Sequence, residues 1–264
     1  MHDTIVQLVR PIYPSVYSLI FADLRMNSPV QEPQRLYRQL AQQLREWMLA
    51  SGFEAGARLP AERDLATQWG VSRSSLREAV IALEVEGAIE VRTGSGIYVT
   101  ALALKPLPVT AARPATVGPG DWGPLEVMQA RELIETEMAA LAALNASRSD
   151  LQAMAKALTQ MKKEIGRNQV PRHGDEAFHM AIAKACGNSV LLDTLHGYWQ
   201  ARSGAIFERL SDYFEKPASW QTALAEHETI YQALCEQDAL GAKRAMKHHL
   251  KQTHKRYNAH WHSV

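Results

Sequence analysis

The sequence predicts a mainly α protein, an N-terminal winged helix-turn-helix followed by a C-terminal all-α helical bundle. Three observations carry this. Between residues 35 and 100, three helical patterns with a short Gly-containing break before the third run into a single hairpin pattern. From residue 124 onward strand signals vanish and amphipathic helical patterns follow one another. Between them lies "ALALKPLPVTAARPATVGPGDWGP", rich in Pro, Ala and Gly and without periodicity, which is a linker composition. The expected organisation is an N-terminal extension over 1–34, loosely held, then a compact block over 35–100, a linker over 101–123 and the bundle over 124–264.

Composition bounds the function classes. The chain has 264 residues, enough for about two domains. Its formal net charge is +1, so bulk charge names no partner and any nucleic-acid contact must come from local arrangement. Two cysteines, Cys186 and Cys235, make no disulfide framework, which fits a reducing cytoplasm. No apolar run approaches the ~20 residues that a membrane span needs. The first thirty residues, interrupted by Pro11 and Pro14, lack the basic start and small-residue cleavage site of a secretory signal.

Each element of the first block has a local cause. Leu36–Ala50 is a helix with Leu36, Leu40, Leu44 and Trp47 on one stripe. A second helix, about 61–69, follows Pro60, buries Leu65 and Trp69, and ends at Gly70. Ser72 caps a third, "SRSSLREAVIALEVEG", whose Leu76, Ala79, Val80 and Leu83 face inward. Then Ile89/Val91 alternate against Ile97/Val99 around Thr93-Gly94-Ser95-Gly96, a β-hairpin. In a winged helix-turn-helix the third helix enters the DNA major groove by its N-terminal end. Ser72, Ser74 and Ser75 are short hydroxyls that reach phosphates. Arg73 and Arg77, one turn apart, are expected on the exposed side, where they address guanine edges or phosphates. Arg63 reaches the flanking backbone, and glycines at the hairpin tip allow close approach to a minor groove. Residues 35–100 hold eight Arg, no Lys and eight acidic residues, so affinity driven by counterion release alone should be modest.

The block "LPAERDLATQWGVSRSSLREAVIALEVEGAIEVRTGSGIYV" resembles the DNA-binding domain of the GntR family of bacterial transcription factors. The resemblance implies operator contacts from Arg63, Ser72, Arg73, Ser74, Ser75, Arg77 and Gly94. Many members carry Thr where this chain has Ser74 and Ser75, so the hydroxyl is kept and the methyl contact is lost.

The bundle contains "DEAFHMAIAKAC", a strongly apolar helix that nevertheless places Asp175 and His179 four residues apart on one face. Such a pair can supply two ligands to one metal or form a helix-surface pair. By apolar periodicity His227, in "ALAEHETIYQAL", and His249, in "AKRAMKHHLKQTHKR", are further candidates for the interior, whereas His248 points more toward solvent. Periodicity leaves metal ligands and satisfied core histidines both open.

"DEAFHMAIAKACGNSVLLDTL" resembles the core of the FCD ligand-binding domain, the C-terminal domain of a GntR subfamily. The resemblance implies metal ligation by Asp175, His179, His227 and His249. Such a set suits Zn²⁺ best and also accepts Ni²⁺ or Mn²⁺. Cys186, two turns past His179, is a fifth ligand or, better, a packed thiol. "MQARELIETEMAALAA" is similar to the first FCD helix, so Arg131 is expected to grip a carboxylate effector, its alternative being a pair with Glu135. "GPLEVMQARELIE" and "YWQARS" look like the uronate-pathway regulators of this subfamily, which adds Arg202 and points to a hexuronate or related sugar acid.

The implied protein is no enzyme. It is a cytoplasmic, bacterial, ligand-responsive repressor, a homodimer on palindromic operator DNA that a carboxylate bound at the metal releases. Its rivals are a metal-dependent hydrolase-like enzyme and a metal-free regulator that answers to an acyl ligand. Beyond Asp238 the chain carries six Lys or Arg and no acidic residue, which reads as a solvated face.

Overall fold

The computed structural model describes residues 36–104 and 122–259; the expected extension over 1–34 and most of the expected linker lie outside them. The first block holds α1 (Leu36–Ala50), α2 (Glu62–Trp69), α3 (Arg73–Val85), β1 (Ile89–Arg92) and β2 (Gly96–Val99). Gly70 closes α2 in the left-handed region at φ 65°, a conformation that costs glycine nothing. Ser72 caps α3 by accepting from the Ser75 N–H at 3.0 Å. The strands pair antiparallel with Ile89 opposite Val99 and Val91 opposite Ile97, all four side chains turned into the core. Ala57–Leu59 runs beside β2 as a third extended segment, bonded through Leu59 N–H to Ile97 O and Val99 N–H to Ala57 O.

Seven helices follow: α4 (Pro124–Asn145), α5 (Arg148–Gly166), α6 (Arg172–Ala185), α7 (Ser189–Arg202), α8 (Ala205–Phe214), α9 (Pro217–Cys235) and α10 (Ala239–Ala259). Their starts are locally encoded. Proline opens α4 and α9, Ser147 and Asp150 form a capping box on α5, and the Asn188 side chain accepts from two α7 amides. Gly174 is a packing requirement, since a Cβ there would lie 2.5 Å from the Met161 backbone nitrogen where α6 crosses α5.

Several sequence expectations change in detail. Leu36 is exposed, and the α1 core stripe runs Tyr37, Leu40, Leu44 and Met48 instead. The bundle has seven helices among the described residues, and a Ser203–Gly204 break that the helical patterns do not anticipate divides α7 from α8. Cys186 is buried among apolar side chains and stands outside the ligand cluster described below.

The winged block and the bundle share one apolar core. Leu210 and Phe214 of α8 and Tyr257 of α10 pack with the side chains that fill the winged block. Polar contacts fix this seam. Arg209 and the Tyr213 hydroxyl both donate to Glu84 of α3, and the Leu125 N–H at the start of α4 donates to Glu78. Burial pushes the Glu78 carboxyl up to about 7 despite that bond.

Candidate metal centre and DNA-facing surface

Four side chains expected to meet do so. Asp175 and His179 lie one turn apart on α6, His227 comes from α9 and His249 from α10. One ligand atom from each falls in a group no wider than 4.8 Å. His179 Nε2 is 3.2 Å from His227 Nε2, and Asp175 Oδ1 is 3.0 Å from His227 Nε2 and 3.6 Å from His179 Nε2. These separations bracket the ~3.3 Å edge of a tetrahedron with metal–nitrogen bonds of ~2.0–2.1 Å.

The ring orientations are fixed from behind. His179 Nδ1–H donates to Glu135, His227 Nδ1–H to the Ala223 carbonyl at 2.7 Å, and His249 Nδ1–H to Glu226 at 2.8 Å. With every Nδ1 engaged by an oxygen acceptor, the Nε2 lone pairs are left for the centre. All three rings are buried. Two imidazole lone pairs 3.2 Å apart repel unless a proton or a cation lies between them. The donor set, its spacing and its outer supports therefore fit a divalent ion such as Zn²⁺.

Titration behaviour follows the same geometry. Burial pushes the Asp175 carboxyl up, but hydrogen bonds from His179 and His227 and the Arg202 charge outweigh it and hold the group well below the carboxylate range. Burial is likewise overcome at Glu135 by Arg131 and His179, and at Glu226 by His249 and Arg256, leaving both at about 2. Burial and the neighbouring His227 push His249 down to about 3, so it is neutral. His179 moves the other way, since burial is outweighed by Glu135 and Asp175, which raise its affinity for a proton.

Both expected effector arginines are at this site, each engaged. Arg131 donates to Glu135, the pairing weighed as its alternative, and Arg202 donates to Asp175 Oδ2 at 2.9 Å. Their guanidinium carbons stand 4.6 and 4.3 Å from the Trp199 ring centre. Both line a cavity of about 70 Å³, together with His227, His249 and Trp220. At ~10–15 Å³ per water-sized occupant this is room for about five or six waters, hence for a small organic acid. The Trp220 Nε1–H is buried without a hydrogen-bond partner among the described residues.

Sequence reading missed Glu226, Arg256 and Trp220, and saw Glu135 only as a partner for Arg131. A glutamate beside a histidine signals nothing by itself, and Glu226 serves His249 rather than its neighbour His227. One clue was available, namely that Arg131 and Glu135 share the face of α4 that carries Val127, Met138 and Ala142.

The DNA-facing residues divide. Arg63, Arg73 and Ser72 are exposed, with Ser74 and Ser75 half-buried beside them. Gly94 sits at the exposed wing tip at φ 75°. Arg77 departs from its expected exposure. It is 5% exposed, forks onto Glu62 at 3.1 and 3.2 Å, and donates to the Tyr257 carbonyl at 2.8 Å. The cause is the seam: α8 and the end of α10 cover the flank of α3 that helical periodicity leaves outward, and Phe214 lies against the guanidinium.

A winged helix-turn-helix joined to a helical bundle that encloses a cavity is the architecture of a DNA-binding transcriptional regulator. Residues 36–99 match the bacterial regulatory proteins of the gntR family and residues 126–252 match the FCD domain. The chain is 36% identical to the Uxu operon transcriptional regulator of Escherichia coli K12, over 84% of this chain and 87% of that one. It is also 36% identical to the Exu regulon transcriptional regulator of the same strain, over 85% of each. Among solved structures, a Streptococcus agalactiae GntR protein aligns at 26% identity and a TM-score of 0.42, covering 83% of this chain and 99% of that one. The chain belongs to the GntR family of transcriptional regulators, in its FCD-containing branch, and is not an enzyme. No helix among the described residues is long and apolar enough to cross a membrane.

Proposed function

We propose that this regulator represses a sugar-acid catabolic operon and leaves its operator when a hexuronate-like carboxylate enters the bundle. The observation that carries the sensing half is the gathering of ligand atoms from Asp175, His179, His227 and His249 within 4.8 Å of one another, with every imidazole held from behind. Asp175, His179, His227 and His249 would hold Zn²⁺, with Ni²⁺ or Mn²⁺ as substitutes, and the ion would supply a Lewis-acid anchor for the effector's carboxylate. Arg131 and Arg202 offer their remaining N–H groups to that anion, and Trp220 Nε1–H offers a donor to a hydroxyl. Likeness to the Uxu and Exu regulators favours a hexuronate over an acyl ligand.

On the DNA, Arg63, Ser72, Arg73, Ser74, Ser75 and Gly94 face the duplex, and a homodimer matches a palindromic operator. Arg77 would join them once the seam opens. A run of contacts ties it to the cavity. Arg202 holds Asp175 and stands 3.9 Å from Glu215, Glu215 accepts from the Tyr257 hydroxyl at 2.5 Å, and the Tyr257 carbonyl accepts from Arg77. An effector that draws Arg202 away from Asp175 thereby biases the seat of α3, and it can do so only by its differential affinity for the two seatings.

The test is an operator titration with a panel of hexuronates and acyl ligands, using metal-loaded and chelator-stripped protein. The proposal expects a hexuronate to weaken operator binding by at least tenfold in the loaded protein and far less in the stripped one. Release by an acyl ligand regardless of metal would establish the rival reading.

A further inference from the structure

A groove of about 210 Å³ lies between the start of α2, the N-terminal end of α3 and the wing. It is lined by Arg58, Arg63, Arg73 and Arg77, with Glu62 as its acidic member. Glu62 is engaged by the two-bond fork from Arg77 and also feels the charge of Arg73, and Arg63 pairs with Asp64, so the groove's acidic contacts go to arginines other than Arg58. Arg58 is exposed, on the opposite side of its extended segment from the buried Leu59. Its backbone is fixed against the wing by a bridge to Tyr98 and by the flanking Ala57 and Leu59 hydrogen bonds. Its guanidinium has no ion pair or hydrogen bond among the described residues. That guanidinium rests against Gly96, where a Cβ would lie 2.6 Å from Arg58 Nε and 3.2 Å from Nη2.

A cation that is fixed at its base, has no acidic partner and lies between the two parts of the fold that straddle a DNA backbone is suited to a phosphate. We propose that Arg58 holds a DNA backbone phosphate in the groove between α3 and the wing, and that Gly96 lacks a Cβ to leave room for its guanidinium. The partner is a phosphodiester of the duplex rather than a base edge, because Arg58 projects from the extended segment beside β2 and not from α3, the helix that enters the major groove. The groove therefore adds affinity and register without reading sequence.

The experiment is binding of the full-length protein to its operator and to a scrambled duplex of equal length, across 50–200 mM KCl. The variants are Arg58→Ala and Arg58→Lys, each matched to the parent by thermal melting. One phosphate contact contributes about 0.9 to the slope of log K against log salt, which over that fourfold salt range is about 3.5-fold in affinity. Arg58→Ala is expected to flatten the slope by about 0.9 for each chain bound and to weaken both duplexes equally. Arg58→Lys, which keeps the charge, should restore most of the slope. An unchanged slope in Arg58→Ala overturns the proposal, and so does a loss confined to the operator, which would mark a base contact. The glycine clause is tested separately with Gly96→Ala. If Gly96 acts by seating Arg58, the substitution weakens binding in the parent and adds nothing in the Arg58→Ala background. Additive losses would show that Gly96 serves only the wing's own backbone, which is at φ 130° there.

Discussion

Glu135→Gln is the sharpest test of the metal centre because it changes one charge and almost no volume. Glu135 is 1% exposed and its two oxygens serve two donors, Arg131 Nε on one side and His179 Nδ1–H on the other. A glutamine has a single acceptor oxygen. If that oxygen takes Arg131, its NH₂ group faces His179 and forces Nδ1 to accept. The imidazole proton then moves to Nε2, the atom aimed at the metal, and blocks ligation. If the oxygen takes His179 instead, Arg131 is left buried without a carboxylate. Loss of an outer-shell partner of this kind costs 10–100-fold in metal affinity, or about 1.4–2.7 kcal/mol. Breaking the buried ion pair should cost the metal-free protein about 3 kcal/mol. The first figure is read by competing the protein against a chromophoric Zn²⁺ chelator, the second by urea denaturation of chelator-treated protein. Metal affinity within twofold of the parent, with stability within 0.5 kcal/mol, would refute the idea that Glu135 sets the His179 tautomer.

Three further outcomes are expected. Because burial raises the Glu78 carboxyl to about 7, its contribution is intact below about pH 4.5 and is lost as pH rises through 7; Glu78→Gln should stabilise by up to about 3 kcal/mol at pH 9 and little at pH 5, measured by urea denaturation at both. In the metal-free protein an unfolded His249 takes up a proton below about pH 6.5 while the folded one resists until about 3, so the melting midpoint should fall steadily across that window and His249→Gln should flatten the fall. Gly174→Ala must push α6 off the Met161 backbone, at a cost of about 1–3 kcal/mol, and should also weaken metal binding by displacing Asp175 and His179, both readable in one metal-dependent thermal melt.

The winged block was legible because its boundaries are set within a few residues of themselves. Gly70, Ser72 and the Ile89/Val91 against Ile97/Val99 alternation each carry their own local physics, and each appears as expected. The metal cluster was half legible, since i,i+4 spacing and apolar stripes place histidines on inner faces but do not say which inner faces meet. What stayed hidden depends on distant chain. Arg77 looks outward by periodicity and is covered by residues about 180 positions later. Leu36 looks inward by the same rule but is 53% exposed, while its neighbour Tyr37 takes the buried position in the first turn of α1. The Ser203–Gly204 break carries only a Ser-Gly pair, a turn signal that is weak without a proline or a longer polar cluster beside it.

The cluster's charge balance bears on what it senses. Each carboxylate that touches a ligand or serves as one has its own guanidinium: Asp175 with Arg202, Glu135 with Arg131, and Glu226 with Arg256. The three histidines add nothing when neutral. Apart from any proton on His179, whose affinity for one Glu135 and Asp175 raise, the buried polar assembly is thus near neutrality before any ion arrives, which limits the electrostatic cost of holding it inside the bundle. A divalent cation adds two charges that nothing in this set offsets. In a site of low effective dielectric that excess is best relieved by an anion with oxygens to share between the ion and a guanidinium. A neutral sugar would leave the excess in place, and an acyl chain would offer nothing to the arginines that share the lining with Met161, Phe214 and Leu224. A small organic acid would satisfy both demands, and on the proposed function its arrival would compete with Asp175 for Arg202, the first contact in the run that ends on the recognition helix.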